Sequence, residues 1–245
     1  LTNKKLGSRM QCICVAYEGM ERFFPADKIV MTGNPIRSII VPATPEMKEA
    51  GIKEYGLDPS RKHIFIVGGS LGSARFNQCM KEWISDGCPG LDGVDVLWQC
   101  GKHYRPDIDR FMDEQRTKNP DVARHIHHSD SIGRMELAYA AADVVISRSG
   151  ASSVSELCAA RKAVIFIPSP NVAEDHQTHN AMALVKKDAA VVVKDAEAME
   201  KMIPTALELL KDPARIARLE ENAGKMALPD AAEKIAEEVY KLIKD

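Results

Sequence analysis

The sequence is short of every feature that would mark a specialised class. Lysine and arginine number 33 against 35 acidic residues, a formal charge of −2. There is therefore no basic surplus to neutralise a phosphate backbone, and nucleic acid is not an expected partner. No apolar run approaches the ~18 residues of a membrane span; Ala163–Pro168 is among the longest. The six cysteines are scattered and no C-x-x-C occurs, which removes zinc-ligand spacing and a disulfide scaffold. They read as the reduced thiols of a cytosolic protein. Repeats, low-complexity tracts, a signal-peptide pattern and an initiator Met are also missing. What remains is an ordinary globular mix over 245 residues, 45% hydrophobic and 28% charged.

From about Lys62 onward, short apolar runs alternate with amphipathic ones. Strands are predicted at Ile64–Gly68, Val94–Cys100, His125–His128, Asp143–Ser147, Ala163–Ile167 and Ala189–Val193. Helical patterns separate them at Ser73–Asp86, Pro106–Lys118, Arg134–Ala142, Ser153–Ala160 and Gln177–Lys187. That alternation predicts an α/β fold with a doubly wound, mostly parallel sheet, and strands apolar throughout fit helices on both faces. His125, His127 and His128 are expected only to flank a strand end.

The ends differ from the middle. Gln11–Ala16 and Lys28–Thr32 read as two short strands, Gly33-Asn34-Pro35 as a turn, and Glu46–Tyr55 as a helix stopped by Gly56. Two short strands cannot bury both faces without a sheet to join. Residues 1–35 are thus expected to be the tail of a domain lying mostly upstream, residues 36–228 the main domain, and 229–245 a terminal amphipathic helix. Ile235, Val239, Leu242 and Ile243 recur at helical spacing there, behind a start at Pro229-Asp230, and predict a core-docking helix.

In an open α/β sheet, ligands bind beyond the carboxyl ends of the strands. Three segments there carry chemistry. Gly68-Gly69-Ser70-Leu71-Gly72-Ser73 links a strand to a helix, as a tight turn or as a phosphate cradle of helix-start N–H groups. A dinucleotide site would want a carboxylate at the end of the next strand, which instead ends Gln99-Cys100-Gly101-Lys102. Ser147 to Glu156 makes a second strand-to-helix passage. Ser153 and Glu156 have capping-box spacing, but the same segment could hold a diphosphate while Glu156 takes a ribose diol. The third segment, Pro168 to Asn171 followed by Glu174 to Asn180, could be a sugar site, a solvated helix start, or a metal site through His176 and His179. No third metal ligand, no Ser/His/Asp triad and no obvious carboxylate pair accompanies them, so a binding site is plainer than a reaction centre.

Four segments together resemble the MurG family of bacterial N-acetylglucosaminyltransferases, in glycosyltransferase family 28. They are Thr32-Gly33-Asn34-Pro35-Ile36-Arg37, the glycine loop, Arg148-Ser149-Gly150-Ala151 with Val154-Ser155-Glu156, and Asp175-His176-Gln177 with Asn180-Ala181. The resemblance covers essentially the whole chain and implies a GT-B enzyme: two Rossmann-like domains facing a cleft, of which this chain would be the carboxyl-terminal, donor-binding one. It implies inverting transfer of N-acetylglucosamine from UDP-N-acetylglucosamine to lipid I, giving lipid II, with no cofactor and no metal. The acceptor would be held through the upstream domain. The full-length protein would sit peripherally on the cytoplasmic face of the inner membrane.

Carried over by motif, Arg37 would touch the donor at the domain junction and Ser70 the diphosphate. Ile132 would offer backbone hydrogen bonds to uracil. Ala151, Ser152 and Ser153, with Val154 and Ser155 beside them, would meet sugar and phosphate. Glu156 would hold the ribose, and Gln177 and Asn180 the sugar hydroxyls. The family's proposed catalytic base would lie upstream of Leu1, so this chain alone is expected to be inactive. Departures from the pattern are Leu71 where some members have Gln, Ser73 where alanine is usual, and Ser152-Ser153 where many have Leu-Thr. Competing readings are another GT-B UDP-sugar enzyme such as an epimerase, and a non-catalytic nucleotide-binding module.

Overall fold

A computed structural model describes residues 2–17, 19–172 and 175–244. The chain divides into two compact units, residues 1–38 with 227–245, and residues 39–226. The division groups the terminal helix with the first residues.

The smaller unit contains α1 (Thr2–Gly7), β1 (Ile13–Val15), β2 (Ile29–Met31) and, from the carboxyl terminus, a helix at Ala231–Lys244. The two strands pair in parallel, Ile13 opposite Ile29. The amides of Thr32 and Gly33 both donate to the Val15 carbonyl, at 3.0 and 3.1 Å. The turn expected at Gly33-Asn34-Pro35 is not formed: the backbone from Thr32 to Arg37 is irregular, and a turn begins only at Ser38. Gly33 serves a close approach instead. A Cβ there would lie 2.7 Å from Leu228 Cβ, and φ is +91°. The terminal helix begins after Pro229-Asp230, with the Asp230 carbonyl accepting from the Lys234 amide at 3.0 Å. Its expected core docking is not seen among the described residues. Ile235 is half-buried, but Val239, Leu242 and Ile243 are exposed. Two three-residue strands offer no sheet face broad enough to cover such a stripe.

The larger unit runs α2 (Pro45–Tyr55), β3 (Lys62–Val67), α3 (Ala74–Ser85), β4 (Val94–Gln99), α4 (Arg105–Lys118), α5 (Pro120–Ala123) and β5 (Ile126–Ser129). It continues through α6 (Met135–Ala141), β6 (Val144–Ser147), α7 (Ala151–Ala159), β7 (Val164–Phe166), α8 (His176–Val185), β8 (Val191–Val192), α9 (Ala198–Leu210) and α10 (Pro213–Lys225). The terminal helix is then α11. All six predicted strands and the five helices between them are present, each within a few residues of its expected ends. α2 shows why: the Thr44 hydroxyl caps it by accepting from the Met47 amide at 3.3 Å, Pro45 opens it, and Gly56 closes it at φ +65°.

The sheet is parallel throughout, in the order β5-β4-β3-β6-β7-β8. Its centre is dry: Ile64, Phe65, Ile66, Val144, Val145 and Ile146 are fully buried, as strands covered on both faces must be. Chain order climbs outward from β3 to β5 and then restarts at β6 on the other side of β3. The loops leaving β3 and β6 therefore diverge, and the crevice between them is the topological switch point where ligands bind in such sheets.

Candidate functional site

A cleft of about 680 Å³ lies at that crevice, within the size range of small-molecule sites. It is lined by the glycine loop after β3, by Arg148, Gly150, Ser152 and Ser153 after β6, and by Ser169, Pro170, Asn171 and Gln177 after β7. Three predicted segments thus meet in one place.

The glycine loop is shaped by what it abuts. A Cβ on Gly72 would stand 2.3 Å from the Cys100 carbonyl oxygen, and its φ is +77°. Only glycine lets this loop lie against the end of β4. Gln99, buried at that end, accepts from the Gly68 amide at 3.1 Å and donates to the Asp130 carbonyl at 3.2 Å. Ser73 is the N-cap of α3, its hydroxyl accepting from the Phe76 amide at 3.3 Å. The first-turn amides of α3 have no carbonyl of their own helix to bond, and their dipole end opens beside the cleft.

The second segment corrects the capping-box expectation. α7 begins at Ala151 behind Gly150, and no side chain caps it. Ser153 is the third residue of the helix. Glu156 lies a turn further on, where its Oε2 accepts from the Tyr139 hydroxyl at 3.4 Å. Gly150 supplies the extended backbone (φ −62°, ψ 150°) that a cap needs, so the cap lies three residues before the one that the Ser-x-x-Glu spacing suggested. Ser152 and Ser153 line the cleft. Val154 does not: its side chain is buried and its amide donates to the Gly150 carbonyl at 2.9 Å. Ala151, Ser155 and Glu156 are partly exposed but outside the cleft wall.

In the third segment, Gln177 accepts through Oε1 from the Ser169 amide at 2.9 Å, which folds the loop after β7 over the start of α8. Its carboxamide N–H groups are the donors it can offer to the cleft. Asn180 is buried, and donates to the Ser149 carbonyl at 3.0 Å. It braces the loop after β6 from behind. Asp175 precedes α8 at φ +49°, and its carboxylate accepts from the Thr178 hydroxyl at 2.6 Å. Glu174 lies outside the described residues. Among the described residues no three His, Cys, Asp or Glu side chains come together as metal ligands. Ile132 is half-buried in the loop after β5 and does not line the cleft. Arg37 belongs to the other unit.

Three charged side chains of the cleft carried no role in the sequence reading. Arg148 donates from Nη1 to Asp195 Oδ1 at 2.6 Å and to the Ile167 and Pro168 carbonyls at 2.9 and 3.2 Å. Its Nη2 donates to the Ser73 hydroxyl at 2.9 Å, and its guanidinium lies 4.6 Å over the Phe76 ring. It thereby ties the ends of β3, β6 and β7 into one floor. Arg75 and Asp195 line the same cleft. The usable signal was position: Arg148 directly follows β6, and Asp195 lies three residues past β8, both on the ligand-bearing edge.

The histidine cluster is elsewhere. His127 and His128 are inside β5, not beyond it. At the amino-terminal edge of the sheet, buried Asp95 receives Arg61 Nε at 2.7 Å, His125 Nδ1 at 2.8 Å and the Asp58 amide at 2.8 Å, with His127 Nε2 at 3.7 Å. Burial alone would raise the Asp95 pKa. The nearby His127 ring and the hydrogen bonds from the Asp58 amide and His125 outweigh it, and hold the carboxyl far below the ordinary range. His128 bonds Asp109 at 2.7 Å, yet burial dominates and pushes its pKa down.

Comparison with known proteins agrees with this architecture. The model of the glycosyltransferase family 28 C-terminal domain matches residues 63–235. The chain is 46% identical over 242 residues to the Bacteroides thetaiotaomicron UDP-N-acetylglucosamine--N-acetylmuramyl-(pentapeptide) pyrophosphoryl-undecaprenol N-acetylglucosamine transferase, covering 99% of this chain and 63% of that protein. It is equally identical, over 248 residues, to the Parabacteroides distasonis protein of the same name, covering 99% and 64%. Among solved structures, Acinetobacter baumannii MurG superposes with a TM-score of 0.72 at 24% identity, over 98% of this chain and 63% of that one. This chain therefore spans a little under two thirds of the length of these relatives. Its doubly wound sheet is the Rossmann-like carboxyl-terminal half of a GT-B fold, and the chain belongs to glycosyltransferase family 28 through that family's C-terminal domain.

Proposed function

We propose that this chain is the donor-binding part of an enzyme that transfers N-acetylglucosamine from UDP-N-acetylglucosamine to an undecaprenyl-diphosphate-linked N-acetylmuramoyl-pentapeptide. The observation that carries the reading is the convergence of the glycine loop, the start of α7 and the loop before α8 on one cleft at the switch point. A nucleoside diphosphate matches that lining: the helix starts of α3 and α7 supply N–H donors and positive dipole ends, and Gln177 supplies an amide for sugar hydroxyls. Ser70, Ser152 and Ser153 are the side chains for phosphate and sugar. Glu156 is assigned to the ribose and Ile132 to uracil.

The acceptor 4-hydroxyl oxygen attacks the anomeric carbon as the bond to the leaving diphosphate breaks, inverting that centre. The negative charge that grows on UDP is met by donors already in place, which is electrostatic preorganisation. The hydroxyl proton passes to a general base. No described helix is long and apolar enough to cross a membrane, and the proposed address is peripheral, on the cytoplasmic face of the inner membrane beside the lipid-linked acceptor.

Calorimetric titration with UDP-N-acetylglucosamine, with NAD as the control, tests the donor site. Saturable binding of the UDP-sugar alone is expected, around millimolar, or about −4 kcal/mol. Equal binding of NAD, or of neither, overturns it.

A further inference from the structure

Two guanidinium groups in the cleft share one carboxylate. Asp195 opens the short 3-10 turn after β8; its Oδ1 takes Arg148 Nη1 at 2.6 Å and its Oδ2 takes Arg75 Nε at 3.4 Å. The two arginines are not equivalent. Arg148 is only 13% exposed and is fixed on every side, by two carbonyls, the Ser73 hydroxyl and the Phe76 ring. Arg75 is 36% exposed, stands two residues after the Ser73 N-cap, and lines the cleft. Its contact with Asp195 is long, runs through Nε, and leaves the paired terminal nitrogens outside it. An ion pair this exposed and this stretched holds weakly. If Arg75 leaves, Asp195 is not stranded, because the short bond to Arg148 remains.

The geometry points to Arg75 as a switching phosphate clamp, and to Asp195 as the carboxylate that competes with the ligand for it. This rests on the nucleoside-diphosphate reading of the cleft given above. When a nucleoside diphosphate settles on the helix start of α3, Arg75 exchanges the single contact with Asp195 for phosphate oxygens. A guanidinium fork can engage these through two parallel N–H bonds. Asp195 keeps Arg148 in place meanwhile, so the floor of the cleft does not move. Because the competitor is built in, the clamp adds affinity for the diphosphate but less than a free arginine would. The spent nucleotide is then released more readily than from two unopposed cations.

NMR titrations of the protein with UDP and with uridine test this at one fixed ionic strength. Arg75→Ala is expected to weaken UDP binding about tenfold and to leave uridine within about twofold. Asp195→Asn is expected to tighten UDP about threefold, and to give no tightening in an Arg75→Ala background. Should Asp195→Asn melt early through loss of the Arg148 bond, Arg75→Gln against Arg75→Ala keeps the clamp testable, since both remove the charge at an exposed helix position. Unchanged UDP affinity in the Arg75 variants overturns the proposal, as does an equal loss for uridine and UDP. Tightening by Asp195→Asn without Arg75 overturns the competition. If the unaltered protein binds neither UDP nor uridine, the nucleotide reading itself fails, an outcome distinct from all of these.

Discussion

Glu156 shows how a residue can be noticed for the wrong structural reason. Its spacing from Ser153 suggested a cap, yet α7 begins earlier and the carboxylate instead meets Tyr139. Removing it therefore should not cost the ~1 kcal/mol of a lost cap. Glu156→Ala is expected to melt within a degree or two of the unaltered protein while losing about tenfold in uridine-nucleotide affinity, by thermal melt and titration side by side. Gly72 is the opposite case, legible from sequence as a loop glycine but not as a contact. Gly72→Ala sets a methyl against the Cys100 carbonyl at a positive φ, and is expected to cost at least ~2 kcal/mol in denaturant unfolding. Arg148, Arg75 and Asp195 were invisible as a group for a plain reason. Ion pairs 47 and 120 residues apart in the chain leave no local pattern.

At the scale of elements, the central strands β3, β6 and β7 were readable because burial on both faces writes a nearly continuous apolar run. The helix starts were less so: a cap depends on backbone angles, and Gly150 supplied those without a side-chain signature. α11 was misjudged because periodicity reports an apolar stripe but not what covers it. The amino-terminal edge of the sheet carries its own prediction. Asp95 joins Arg61, ahead of β3, to His125, ahead of β5, in a buried cluster far along the strands from the cleft edge. Asp95→Asn leaves Arg61 without its charge partner, and is expected to lower stability by ~3–5 kcal/mol in denaturant melts. Uridine-nucleotide affinity of the folded fraction should be unchanged.

The whole molecule should be sensitive to acid. His128, Asp95, Asp109 and Asp143 all have folded pKa values below their ordinary ones. Each group binds its proton more readily in the unfolded chain, so stability is full above the unfolded values and falls as pH drops through the folded ones. Melting temperature is expected to hold steady between about pH 7 and 8, to decline on the acid side first as unfolded His128 takes its proton near 6.5, and to fall further below about pH 4 as the carboxyls follow. A melt series across pH checks the order. Thiol chemistry should divide the same way. Burial pushes Cys79 up to about 11, and Cys88 and Cys158 to about 12, while Cys14 is exposed. A disulfide reagent should label Cys14 in the native protein and reach the buried thiols only on unfolding. Gln99, finally, bears on what the lineage of this fold can become. Its amide bridges the Gly68 amide and the Asp130 carbonyl, one end accepting and the other donating. A glutamate there would still accept from Gly68 but would set a second acceptor against the Asp130 carbonyl in a buried spot. The one-step mutation that would install a dinucleotide-type carboxylate at this strand end is thus selected against by the Asp130 carbonyl just past β5, and a change of cofactor would have to begin by rebuilding the loop that carries it.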